Sequence, residues 1–207
     1  MERIDCRSHK ETLFSWIWRK THKENLSPPY YCYYSLFTIV SKPIRKWFSA
    51  VLIPTIPFSN LRVQCYRWCG YKIGKNTFIG MRCYLDDMCY DMIEIGNNVT
   101  VSYGVFFACH GRKQGHNKLL IKDGAYIGMN SSLIARSDEG LIIGENSVVG
   151  ACSLVNKSVA DDSVVAGIPA KEISKSNFYF DRKGLYLKKS VLKAGWEYGI
   201  YVTYPGG

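Results

Sequence analysis

The sequence predicts an all-β solenoid, a three-sided parallel β-helix of about four complete coils, and two aligned columns of residues carry that reading. Hexads begin at Ile73, Ile79 and Leu85, then at Ile95, Val101 and Phe107. They resume at Ile121, Ile127 and Leu133, then at Ile143, Val149 and Val155, so that every first place is apolar. The fifth places are Thr77, Cys83, Cys89, Val99, Val105, Gly111, Ala125, Ser131, Ser137, Ser147, Ser153 and Val159. All are small or β-branched. Apolar first places point into a narrow prism, small fifth places fill the remaining volume, and three hexads close one coil. Successive coils then hydrogen-bond as neighbouring strands do, about 4.8 Å apart. A sandwich of alternating strands does not align two such columns.

Glycine fills many second places: Gly74, Gly80, Gly96, Gly128, Gly144 and Gly150. Glycine tolerates backbone angles that strain other residues, so these positions are expected to be the corners. Between coils the frame jumps by 10, 14 and 10 residues instead of 6, which inserts 4, 8 and 4 residues at one recurring corner. One edge of the prism therefore carries all the loops. A solenoid that gathers its loops along one edge is building a site there.

Three regions follow from this frame. Residues 1–60 form a basic, aromatic N-terminal region, 61–175 the solenoid, and 176–207 a C-terminal tail rich in tyrosine. Apolar residues recur at helical spacing in 12–19 and 61–69. Aromatics mixed with Lys42, Arg45 and Lys46 suit either a cap over the open end of the prism or contact with a membrane surface.

Charge is distributed unevenly over the 207 residues. Residues 1–72 carry 12 Lys/Arg against 4 Asp/Glu, 73–170 carry 8 against 10, and 171–207 carry 7 against 3, giving the net +10. Basic flanks around a slightly acidic middle favour anionic partners such as a membrane surface or phosphorylated ligands. Nucleic acid is not expected, because no recognition motif accompanies the basic residues. Apolar runs stop well short of the roughly 20 residues that span a bilayer, and no secretory signal is visible. The expected location is cytoplasmic, including the inner face of the membrane. The eight cysteines contain no Cys-x-x-Cys pair and fall in slots that take small residues, so they are expected to be reduced thiols.

The longest insertion, Ala108–Lys118, holds both histidines of the solenoid, His110 and His116. His110 lies three places after the inward Phe107, at a corner, so its ring is expected to leave the prism. A neutral imidazole there can take the proton of a hydroxyl that attacks a carbonyl. Asp86 and Asp87 fall at the same corner one coil below, where they either orient an imidazole or meet an acceptor. His116 and Arg136 are further acceptor candidates. No metal is expected, since a catalytic zinc site wants three protein ligands and the solenoid holds two histidines; a γ-type carbonic anhydrase is thereby disfavoured.

The two columns, together with Val164–Ile173 (VVAGIPAKEI), resemble the hexapeptide-repeat acyltransferases, which include maltose, galactoside and polysaccharide O-acetyltransferases. The resemblance implies a left-handed coil, a homotrimer and acetyl-CoA as acyl donor. It implies His110 as the catalytic base. It places the CoA arm beside Gly128, Met129, Ala151, Asn156, Ala166 and Gly167, with Lys157 and Lys171 near the nucleotide phosphates. Met129 and Cys152 depart from the usual small-residue pattern of that segment. The acceptor is expected to be a carbohydrate hydroxyl, such as a surface polysaccharide or a lipid-linked glycan. The alternatives are serine, an antibiotic, a nucleotide-linked amino sugar that accepts on nitrogen, and a non-catalytic binding solenoid.

Overall fold

In the computed structural model, residues 12–22, 29–34, 36–111, 115–135, 139–175, 178–181 and 184–187 are described. The chain divides into two compact units at Trp47/Phe48. In the first unit, α1 (Leu13–Thr21) starts at a capping box in which Thr12 and Ser15 bond each other's backbone, and α2 (Leu36–Trp47) carries Pro43 internally. The helical spacing of 12–19 is realised in α1. That of 61–69 is realised in α3 (Ser59–Trp68), which belongs to the second unit.

The second unit is the solenoid. Its first coil comprises β1 (Lys72–Ile73), β2 (Phe78–Ile79) and the bridge residue Tyr84. The second comprises β3 (Ile93–Ile95), β4 (Thr100–Val101) and β5 (Phe106–Ala108), followed by a hairpin of β6 (His110–Gly111) and β7 (Gly115–His116). The third is β8 (Leu119–Ile121), β9 (Tyr126–Ile127) and β10 (Ser132–Ile134). The fourth is β11 (Leu141–Ile143), β12 (Val148–Val149) and β13 (Leu154–Val155). β14 (Ser163–Gly167) then turns back antiparallel on β15 (Ala170–Lys175), and β16 (Phe178–Asp181) pairs with β17 (Gly184–Leu187).

Equivalent hexad places stack directly. On one face Ile73, Ile95, Ile121 and Ile143 pair in parallel register, and Val159 bridges Ile143. On the next, Ile79, Val101, Ile127, Val149 and Val165 do so. On the third, Phe107, Leu133 and Val155 stack. All the first-place side chains except the partly buried Ile73 are buried, as are the fifth-place residues other than Gly111 and Ser137, whose burial is not described. The small polar fifth places also satisfy corner carbonyls: Ser131 Oγ donates to Gly128 O (2.8 Å) and Gly150 O (2.9 Å), and Ser147 Oγ to Gly144 O (2.7 Å).

The expectation about glycine needs correcting. The left-handed backbone angle recurs at the fourth place of the hexad, at Asn76, Asn98, Gly104, Gly124, Asn130 and Asn146, not at the second. The second-place glycines answer a different constraint. A Cβ on Gly74 would sit 2.4 Å from the backbone of Gly96, and one on Gly128 would sit 2.5 Å from Ala151 N. At these two glycines the next coil's backbone approaches too closely for a side chain.

The lower end of the prism has its own solution. First-coil amides donate upward, as Gly74 N to Ile95 O and Gly80 N to Val101 O, which leaves first-coil carbonyls without a coil beneath. Side chains from α3 and the turn after it supply the missing donors. Buried Arg62 donates to Ile79 O through Nε (2.8 Å), Arg67 Nε to Ile73 O (3.1 Å), Tyr66 OH to Cys83 O (3.2 Å) and Tyr71 OH to Leu85 O (3.1 Å). Unpaired edge groups would otherwise invite strand addition.

The glycine argument predicts that Gly128→Ala lowers unfolding stability by about 1–3 kcal/mol through overpacking. Asn130→Gly, where φ is already 54°, should cost at most about 1 kcal/mol. Urea unfolding of the two variants separates the cases.

Candidate active site

All the loops leave at the corner between the β5–β10–β13 face and the β3–β8–β11 face. Here the second coil extends into the β6–β7 hairpin, in which His110 pairs with His116 and Asn117 N donates to Cys109 O (3.0 Å). One coil below, the chain leaves the inward Leu85 and turns at once, and Met88 N donates back to Asp86 Oδ1 (3.1 Å). That turn aims the Asp86 carboxylate upward. Its Oδ2 accepts from Cys109 N (2.8 Å) and from His110 Nδ1 (2.5 Å).

The resulting pair is asymmetric in burial: the Asp86 side chain is 0% exposed and that of His110 36%. Burying a carboxylate costs several kcal/mol unless donors replace its water. Three N–H groups do so here. With the Asp86 carboxylate as acceptor, the shared proton belongs to His110 Nδ1, so in a neutral ring Nε2 is the nitrogen that carries the lone pair. A half-exposed ring held in one tautomer by a buried carboxylate is the arrangement a general base requires.

Of the two roles left open for Asp86, the geometry matches orientation of the imidazole. Its carboxylate faces the imidazole and not solvent, with 0% of the side chain exposed. Asp87 is likewise turned inward. It is 6% exposed, and its Oδ1 accepts from Tyr84 OH (2.6 Å). The Tyr84 ring in turn stacks on Phe106, with centroids 4.8 Å apart. The backbone of His116 sits opposite His110; its side chain and all of Arg136 lie outside the described residues.

Cys89, a fifth-place residue, and Cys109 are both buried beside this pair. Burial, followed by the charges of Asp86, Asp91 and Asp87, pushes the Cys89 thiol up to about 12. Burial and Asp86 raise Cys109 further still. Burial therefore disfavours the thiolate that a nucleophilic role would need at either residue. Asp86, Cys89 and His110 place ligand-type atoms within 4.8 Å of one another. The carboxylate already accepts three N–H bonds, which fits a hydrogen-bonded pair. No disulfide joins the described cysteines.

The residues expected around CoA occupy two corners. Gly128 and Ala166 flank Gly150 in the stack at the corner between β9, β12, β14 and the β5–β10–β13 face. Met129, Ala151 and Gly167 follow them outward, all exposed. Asn156 and exposed Lys157 lie instead at the loop corner, two coils above His110, and Lys171 is exposed on β15. The two groups bound opposite edges of one face.

The family described as "Hexapeptide repeat of succinyl-transferase" matches residues 71–107 and 120–157, which are the coils described above. The coils formed by those residues are thus hexapeptide repeats of that kind. The serine acetyltransferase of Bacillus subtilis is 37% identical over 106 residues, covering 50% of this chain and 45% of that protein. The chain thus matches about half the length of such curated relatives. Among solved structures, the hexapeptide-repeat acetyltransferase VCA0836 of Vibrio cholerae in complex with acetyl coenzyme A superposes with a TM-score of 0.53 at 23% identity, covering 68% of this chain and 90% of that one. A maltose O-acetyltransferase from Clostridium difficile 630 gives 0.51 at 21%, covering 69% and 89%. Both likenesses support the left-handed β-helix fold.

Thiol chemistry tests the buried site. In the native chain, exposed Cys152 should react with an alkylating reagent at pH 8, whereas Cys83, Cys89 and Cys109 should label only after denaturation. Mass spectrometry of the labelled peptides reads this out.

Proposed function

We propose that the chain is an acetyl-CoA-dependent O-acetyltransferase that uses His110 as general base on a carbohydrate hydroxyl. The observation that carries the reading is the buried Asp86 carboxylate fixing Nδ1 of a half-exposed imidazole at the looped corner. Acetyl-CoA supplies an activated thioester carbonyl. His110 Nε2 takes the proton of the acceptor hydroxyl as its oxygen attacks, then returns that proton to the departing sulfur. The Asp86 carboxylate stabilises the imidazolium formed between those events. Transfer is direct, so the rate gain rests on holding both substrates together and on the placed base.

Exposed Met129, Ala151 and Gly167 offer a column of mostly small residues along which an extended pantetheine arm can approach the backbone. Lys157 and Lys171 suit the phosphates of the nucleotide. A homotrimer, as in the enzymes the chain resembles, would set these residues against the His110 edge of a neighbour. The carbohydrate acceptor is supported by the Phe106 ring, 44% exposed and stacked on Tyr84 in the coil that leads to His110. Such rings pack against the apolar faces of sugars. Serine is the second reading, favoured by the 37% identity to a serine acetyltransferase.

Transfer from labelled acetyl-CoA to a panel of sugars, oligosaccharides, amino sugars and serine decides between them. The proposal expects ester-linked label on a sugar hydroxyl; label confined to amines or to serine contradicts it. His110→Ala should lower kcat by about 10²–10⁴. Asp86→Asn should lower kcat with KM for acetyl-CoA nearly unchanged, because it disturbs the tautomer and not the donor site.

A further inference from the structure

The first unit presents apolar surface that the established fold leaves unexplained. Helix α2 has no buried side chain among those described. Phe37, Val40, Ile44 and Trp47 are 82%, 56%, 60% and 57% exposed. At 100° per residue these four positions fall within one narrow stripe along the helix. Arg45 and Lys46 close its last turn beside and behind that stripe. Helix α1 repeats the composition: Leu13, Trp16 and Ile17 are exposed, and Arg19 and Lys20 lie in its last turn. Lys20 Nζ lies 4.3 Å from the Trp16 ring centroid.

A helix of 12 residues with an internal proline is marginal in water, because Pro43 removes one backbone bond and nucleation is costly. An external apolar surface under the stripe would stabilise it. The partner must also answer the charge, since residues 1–47 carry 9 Lys/Arg against 4 Asp/Glu, a net +5. A bilayer with anionic headgroups meets both needs: aromatic and aliphatic side chains enter the headgroup boundary while arginine and lysine reach phosphates. No described helix is long and apolar enough to cross a membrane, so the contact is with its surface.

We infer that the Phe37–Val40–Ile44–Trp47 face of α2 docks on an anionic lipid surface. This inference stands apart from the acetyl transfer, because none of its residues belongs to the site around His110. The test is co-sedimentation of the full chain with vesicles of phosphatidylcholine alone and of phosphatidylcholine mixed with phosphatidylglycerol. The wild-type chain should sediment with the mixed vesicles and stay in solution with the neutral ones, and raised salt should weaken binding. Ile44→Glu with Trp47→Glu should weaken binding about tenfold or more, with an unchanged circular dichroism spectrum. Arg45→Glu with Lys46→Glu should abolish the preference for the mixed vesicles. Wild-type chain that ignores both vesicle types overturns the inference, as does an Ile44→Glu, Trp47→Glu variant that binds equally well. So does loss of self-association in that variant, measured by light scattering, when the wild-type chain binds no vesicles.

Discussion

The close approach of successive coils is the constraint on which everything else depends. Where a Cβ would meet the next backbone at 2.4–2.5 Å, only glycine permits the stack, and the stack then fixes the register of every rung. A slip of one residue would turn the apolar column outward and bring side chains into those narrow places. With no slip available, residues many positions apart in sequence are held over one another. The loop corner inherits that precision. Asp86 and His110 are 24 residues apart, yet their side chains meet because coils one and two are locked rung on rung.

The energetic logic of the corner follows from burial. An ionised carboxylate without water needs donors, and this one receives two backbone amides and an imidazole. The same burial that makes the carboxylate a strong acceptor keeps the neighbouring thiols protonated. His110 is the partly exposed member of this cluster. At the lower end of the prism the problem is reversed: carbonyls need donors, and arginine and tyrosine side chains around α3 deliver them. Arg62 is buried for this purpose, and its burial pulls its guanidinium pKa below the usual value.

Periodicity made the solenoid legible, since an inward column of apolar residues and a partner column of small ones are written directly in residue type. The spacing also revealed the loop edge and so His110. What periodicity does not carry is direction at the corners. The left-handed angle falls at the fourth place, where asparagine, glycine, Arg82 and Cys152 adopt it, whereas Gly74 and Gly128 at the second place answer proximity. Asp86 follows the inward Leu85 and by simple alternation should face outward; the turn closed by Met88 N points it inward instead. The capping role of Arg62 was hidden because an arginine between apolar helical positions reads as a surface residue. Ala151 and Asn156 fall at different corners, since one hexad carries the chain across a face.

The central claim is that the buried Asp86 carboxylate dictates the tautomer of His110. Nitrogen NMR of the His110 ring in the full-length chain tests it most directly. The account predicts a neutral ring protonated on Nδ1, its proton shifted far downfield by the carboxylate, with Nε2 bare. A neutral ring protonated on Nε2, or one exchanging freely between the two forms, would contradict it.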